Sequence, residues 1–241
     1  MLDTILIADL HLSAERPASV ELFLKFLEEK VSRCQRLYIL GDLFDVWLGD
    51  DDKTPPIPDI IQGLSSVSSH GCQLFLIRGN RDFLIGDQFS RETGCALLHD
   101  TAVTNIAGEA TLLMHGDLLV TDDTTYQRDR VFLRSDEFLN DFLSKPLSER
   151  QAIASSLRQK SSETKSGLAK STMDVVDATV EEYMRRHNCW QLIHGHTHIQ
   201  GEHDLRMDGR PGKRYVLGEW SRNQGPYLVD QGGGLEYNIF C

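Results

Sequence analysis

Residues 36–45 read RLYILGDLFD. Five mainly apolar, β-favouring residues run straight into a glycine and a carboxylate. A short apolar run of this kind suits a strand buried on both faces. The end of such a strand is where an open α/β sheet presents its binding site. Four other runs have the same form: 4–8 (TILIA), 73–77 (QLFLI), 110–114 (ATLLM) and 190–193 (WQLI). Each leads into a polar motif: Asp9-Leu10-His11, Gly79-Asn80-Arg81-Asp82, His115-Gly116-Asp117 and Gly195-His196-Thr197-His198.

Between the first two runs, residues 19–31 carry Val20, Phe23, Leu24, Phe26 and Leu27 at helical spacing, with Pro17 near the start. Residues 59–65 are a weaker helical candidate. Strand and helix in alternation predict an α/β layered fold. From Arg214 onward the pattern changes. Residues 214–217, 227–229 and 235–240 read as short antiparallel strands with turns such as Gly232-Gly233-Gly234, and predict a second sheet packed on the first.

A chain of 241 residues, 40% hydrophobic, is one sizeable domain or one domain with a large insertion. The net charge of −11 argues against a general nucleic-acid binder. Five scattered cysteines without a CxxC pair predict reduced thiols in the cytosol. No run approaches the roughly 20 apolar residues of a membrane span. The expectation is a cytosolic protein, free to touch a membrane from one face.

Residues 126–170 interrupt the strand rhythm and read as helices, with a loop expected over 161–167. They hold nine basic and six acidic residues, a local charge of +3. Phe132, Leu139, Phe142 and Leu143 share a face. The stretch is predicted to be an insertion capping the site.

The motifs supply side chains for two adjacent divalent ions: Asp9, His11, Asp42, Asn80, His115, His196 and His198. If strand geometry persists past residue 8, Asp9 and His11 point the same way. Only Asp9 and Asp42 are anionic, so two divalent ions would keep about +2 of charge, which favours an anionic phosphoester and its transition state. Ions roughly 3.5–4 Å apart would acidify a water as nucleophile. Nitrogen and oxygen donors without cysteine fit Mn²⁺, Fe, Co²⁺ or Zn²⁺. A binuclear phosphoester hydrolase is therefore the leading expectation. Asp45 is expected to orient a ligand histidine, and Asp82 and Asp117 to cap turns. His194 fits a core or a catalytic role equally. His70, His99, His187 and His203 stand outside any motif.

This ordered set resembles the calcineurin-like metallophosphoesterase superfamily over nearly the whole chain. The resemblance implies a four-layer αββα sandwich. It implies one metal on Asp9, His11, Asp42 and His198, and another on Asp42, Asn80, His115 and His196. Arg81 stands where many members have histidine. With Gly41-Asp42-Leu43-Phe44-Asp45-Val46-Trp47, Leu192-Ile193-His194-Gly195-His196-Thr197-His198 and Val216-Leu217-Gly218-Glu219-Trp220, it makes the chain similar to the UDP-2,3-diacylglucosamine pyrophosphatase family of Gram-negative lipid A biosynthesis.

That narrower resemblance implies hydrolysis of UDP-2,3-diacylglucosamine to 2,3-diacylglucosamine 1-phosphate (lipid X) and UMP, with water attacking the α-phosphorus. It implies two Mn²⁺ ions per chain, other divalent transition metals serving as alternatives. It implies a peripheral enzyme on the lipid surface of the inner membrane's cytoplasmic face, without a nucleic-acid partner; the sequence leaves the oligomeric state open, with a monomer favoured. Residues 1–241 would form one domain, with 126–170 as a helical lid. Catalytic roles fall to Asp42, Asn80, Arg81 and His115. Substrate contacts fall to Asn80, Arg81, Asp123, Tyr126, Ser161, Lys165, Leu168 and His196. In the insertion the family pattern has Ser, Asn and Lys where this chain has Ser161, Lys165 and Leu168, so Lys165 replaces the lost charge. The insertion's apolar face either shelters acyl chains or packs a helical hairpin. Its basic excess would meet anionic lipid at about 1 kcal/mol per cation. The rival readings are a nucleotide or protein phosphoesterase, and a metal-free scaffold of the same fold.

Overall fold

Strand β2 (Cys34–Leu40) shows why its sequence is apolar without interruption. Leu37 and Ile39 face one buried layer, and Tyr38 and Leu40 face another. The computed structural model describes residues 2–165 and 174–241, with side chains over 4–160 and 174–241. In it β2 lies between β1 (Leu2–Ile7) and β3 (Gln73–Ile77), parallel to both. The short β4 (Cys95–Leu97) continues this sheet on one side. On the other side β10 (Gly225–Asp230) and β11 (Leu235–Phe240) complete it, in the order β11-β10-β1-β2-β3-β4.

The second sheet has the order β5-β6-β7-β9-β8, from β5 (Thr101–Ile106), β6 (Glu109–Met114), β7 (Gln191–His194), β8 (Gly201–Met207) and β9 (Arg210–Val216). Its three central strands are parallel and its two edges antiparallel.

Three apolar layers hold the stack together. Outside the first sheet, Phe23, Phe26 and Leu27 of α1 (Pro17–Glu29), Ile60 and Leu64 of α2 (Ile57–Ser69) and Phe89 of α3 (Asp87–Thr93) pack on Ile5, Ile7, Leu37 and Ile39. Between the sheets, Leu6, Ala8, Tyr38, Leu40 and Ile77 meet Leu113, Ile193, Tyr215 and Leu217. Outside the second sheet, Leu112, Met114 and Leu192 receive Val180 and Met184 of α7 (Asp177–Arg186). The architecture is thus helix–sheet–sheet–helix. Full burial of each large apolar side chain contributes about 1.5–3 kcal/mol.

The division of strands differs from the sequence expectation. The fourth and fifth apolar runs belong to the second sheet, and the last two strands return to the first. Thr4 pairs with Asp230 across the antiparallel β1–β10 ladder. An apolar run specifies a strand, not its partner. Strand β8, GEHDLRM, was not foreseen because mostly exposed polar residues hide its strand character.

The insertion forms α4 (Thr124–Leu133), α5 (Asp136–Ser144) and α6 (Leu147–Lys165). Asp123 caps α4 by accepting from the Tyr126 backbone N–H at 2.9 Å, and Ser135 caps α5. The loop expected from Ser161 does not begin there: α6 continues through Lys165. No glycine or proline lies between Leu147 and Gly167, and serine or threonine costs only some tenths of a kcal/mol in a helix. Phe142 is buried in the core with Phe138 and Leu139 packed beside it, while Val131 and Phe132 of α4 are exposed. The shared face is therefore divided, part packing on the body and part open to solvent. Among the described residues no helix is long and apolar enough to cross a membrane.

Polar contacts hold these helices down. Arg150, 4% exposed, donates to Leu48 O at 2.7 Å and Lys145 O at 2.9 Å and pairs with Asp51. Asp117, just past β6, accepts from Tyr126 Oη at 3.0 Å and Arg130 Nε at 2.7 Å. Asp100 closes the network onto Arg130 and Arg134. Burial pushes the Asp117 carboxyl up, but the charges of His115, Arg130, Arg134 and His196 hold it well below the usual range. A depressed carboxyl contributes stability that is present above its unfolded value and lost as pH falls through the folded one. Asp117→Asn is therefore expected to destabilise the protein by about 3–5 kcal/mol at pH 7. The gap to wild type should narrow below about pH 4, as read from urea midpoints at both pH values.

Candidate metal centre

Strands β1, β2 and β3 end side by side, and β6 and β7 end above them, so all five motifs emerge at one edge of the sandwich. Backbone bonds tie the loops together. Asp9 N–H donates to Gly41 O at 3.1 Å, His11 N–H to Asp42 O at 3.0 Å, and Gly195 N–H to His115 O at 2.8 Å.

Asp9 and His11 do not share a face through strand geometry, because β1 stops at Ile7. Their φ angles are +56° and +49°, and those of Asp42, His196 and His198 are +53°, +71° and +61°. Five of the seven expected ligands thus adopt left-handed backbone, a conformation costing about 1–3 kcal/mol each and typical of functional sites. Two glycines make room for them. A methyl group on Gly79 would overlap the Asp42 carboxylate, and one on Gly41 would lie 2.5 Å from His115 Nδ1.

The structure brings all seven side chains together. His198 Nε2 lies 3.3 Å from His11 Nε2 and 3.5 Å from Asp9 Oδ1. On the other side Asn80 Oδ1 lies 3.1 Å from His115 Nε2 and 2.9 Å from His196 Nδ1. Asp42 sits between the groups, 3.9 Å from His11 Nδ1 and 3.7 Å from His115 Nε2. Ligand atoms of Asp9, His11 and His198, and of Asp9, Asp42 and His115, converge within 4.8 Å.

This donor set fits cations. His115 Nδ1 lies 2.8 Å from the Leu40 carbonyl, which places the ring proton there and turns the Nε2 lone pair into the cluster. Asp9 Oδ1 and His11 Nδ1 are buried without a hydrogen-bond partner among the described residues. Burial, with Asp82 and Asp9 nearby, pushes the Asp42 carboxyl up to about 7 against the pull of His115. An ionised carboxylate there needs more positive charge than the side chains provide. Burial lowers His11 to about 4, leaving a neutral imidazole able to bind metal. Burial also acts on His198, but the Asp9 and Glu219 carboxylates outweigh it and raise the ring to about 10.

Among the neighbours, Asp82 is a cap: it accepts from Gly79 N–H and Leu43 N–H, both at 2.7 Å. The Asp45 carboxylate pairs with Arg158 of α6 at 2.7 Å, in place of the histidine expected for it. The Asp45 backbone N–H donates to Leu12 O at 3.2 Å, and the side chain meets the insertion. His194 is a core residue, bound to Gly195 O at 2.8 Å and facing Arg214. Asp117 does more than cap a turn, since it anchors α4 through Arg130.

The expected substrate contacts are placed unevenly. The Arg81 backbone N–H donates to Asp42 at 2.8 Å, and its positive charge reaches His11. Tyr126 lies 5.8 Å from the His196 ring, with its hydroxyl committed to Asp117. Asp123 is spent on the α4 cap. Ser161 and Lys165 fall in α6 with side chains beyond those described, and Leu168 lies outside the described residues. One residue near the cluster was not foreseen: Glu219 Oε2 lies 3.1 Å from His198 Nδ1. Its only sequence signal was its place in Val-Leu-Gly-Glu-Trp.

Comparison with known proteins agrees with this geometry. The chain is 43% identical over 235 residues to a UDP-2,3-diacylglucosamine hydrolase of Pseudomonas paraeruginosa, covering 96% of this chain and 97% of the relative. It is 43% identical over 220 residues to the protein of the same name in Marinobacter nauticus, covering 91% of this chain and 90% of the relative. The family model described as calcineurin-like phosphoesterase matches residues 2–200. On that match, the chain belongs to the calcineurin-like phosphoesterase family.

Proposed function

We propose that this chain hydrolyses UDP-2,3-diacylglucosamine to 2,3-diacylglucosamine 1-phosphate and UMP. The observation that carries the reading is end-to-end similarity, at 43% identity, to relatives bearing that activity in their name. The convergence of seven N and O donors supports it chemically.

Asp9, His11, Asp42 and His198 would hold one Mn²⁺, and Asp42, Asn80, His115 and His196 a second. Bound there, the ions supply positive charge for the diphosphate and acidify a water molecule. Arg81, beside the cluster, adds positive charge where negative charge builds on the phosphate. Water adds to the α-phosphorus and the bond to the bridging oxygen breaks. The new oxygen stays on UMP, and lipid X leaves with the β-phosphate. Residues 126–170 act as the lid of the single domain. The exposed Val131 and Phe132 suit contact with an acylated substrate or the inner-membrane lipid surface on its cytoplasmic side.

The decisive assay offers the purified chain the diacylated UDP-sugar with and without Mn²⁺, in ¹⁸O-water. The expected result is Mn²⁺-dependent release of UMP carrying the label. Preference for simple aryl phosphates, or label on the sugar phosphate, would refute the proposal. Asp42→Ala should lower kcat by at least about 10²–10³-fold with an unchanged circular dichroism spectrum. Gly79→Ala, which removes no chemical group, should lower Mn²⁺ affinity and activity together by displacing Asp42. Wild-type metal binding in that variant would show that the close contact is relieved elsewhere.

A further inference from the structure

We infer that Glu219 is a positioning residue that fixes the His198 imidazole for the ion on the Asp9 side. The inference rests on the metal reading above and extends it to a side chain outside the ligand set.

Glu219 is set by pinned neighbours on both sides. Leu217 N–H donates to His194 O at 2.7 Å, and Trp220 N–H donates to Asp9 O at 3.0 Å. The Trp220 indole is fully buried, edge-on to Phe23 and Phe26, with Nε1 donating to Pro226 O at 3.1 Å. From this anchor the Glu219 carboxylate reaches outward to His198 Nδ1 at 3.1 Å. Its other oxygen lies 3.8 Å from Arg16, whose guanidinium also donates to Trp220 O at 2.7 Å.

His198 needs such a partner. Its side chain is 36% exposed, against 9% for His11 and 1% for His115. Packing alone holds it least firmly of these three. With Nδ1 held by Glu219, Nε2 is the ring nitrogen that faces the cluster, 3.5 Å from Asp9 Oδ1. A carboxylate behind a metal-binding imidazole fixes its tautomer and ring orientation, and its loss typically weakens metal affinity 10–100-fold. A bare surface ion pair with Arg16 would contribute almost nothing.

The test is Mn²⁺ titration of the full chain, followed by the electron paramagnetic resonance of free Mn²⁺. Wild type should show two sites. Glu219→Ala should weaken one site by about 10–100-fold and leave the other. Glu219→Gln, which still offers an oxygen acceptor, should recover much of that loss, and Arg16→Ala should change affinity little. The metal-free unfolding midpoint should fall only slightly in the three variants, because the contacts removed are partly exposed. Two sites of wild-type affinity in Glu219→Ala would overturn the inference. So would loss at both sites in proportion to lost stability of the metal-free protein. A wild-type chain that takes up no Mn²⁺ would instead overturn the metal reading beneath it.

Discussion

Just past the ends of β1 and β2, the chain at residues 9–12 hydrogen-bonds to the carbonyls of Gly41, Asp42 and Leu43. This backbone ladder outside the regular sheet is the constraint on which the centre depends. It holds Asp9, His11 and Asp42 in left-handed backbone that none of them favours in isolation. Beyond the last regular strand residue, Ile7, the ladder still turns Asp9 and His11 toward the cluster and leaves Leu10 buried in the core. The local cost is sustained by apolar packing beneath, where Ile5, Leu6, Ile7 and Ala8 are fully buried.

Much of the site could be read from the residues, and for a physical reason. A two-cation site demands many donors of a few kinds, and each donor must sit at a strand end to reach the others. Glycines must also stand where backbone and carboxylate approach closely, as Gly41 and Gly79 do. What could not be read is where partners come from across the chain. Nothing in the apolar run 110–114 shows that it pairs with 191–193 and not with 73–77. The roles of Asp45 and Glu219 stayed hidden for the same reason. Both are single carboxylates whose meaning depends on a side chain distant in sequence. The continuous α6 was concealed by serines, which are as common in loops as in helices.

The body and the insertion are built on different principles. The sheets and their helices bury contiguous apolar layers. Helix α4 has no buried residue, and α5 has one. Besides the packing of Phe138, Leu139 and Phe142 on the core, these helices are held by caps and by Asp–Arg pairs, several of them partly buried. Such contacts respond to ionic strength where exposed and resist it where dry. The part of the chain nearest the proposed acyl groups is thus the part whose attachment is most polar.

The two sheets contribute unlike chemistry. Asp9, Asp42 and Asn80 follow strands of the first sheet and supply every oxygen donor of the cluster. His115, His196 and His198 follow strands of the second and supply nitrogen, as His11 does from the first. The spacing between the Asp9, His11, Asp42 and Asn80 group and the His115, His196 and His198 group therefore follows the spacing between the sheets, across the layer that includes Leu6, Ala8, Leu40, Ile77, Leu113 and Ile193. The sandwich works as a caliper. In the proposed metal reading, a change of side-chain volume in that layer would alter the distance between the two groups without touching either. A substitution there would act on the proposed centre through the hydrophobic core and not through its donors.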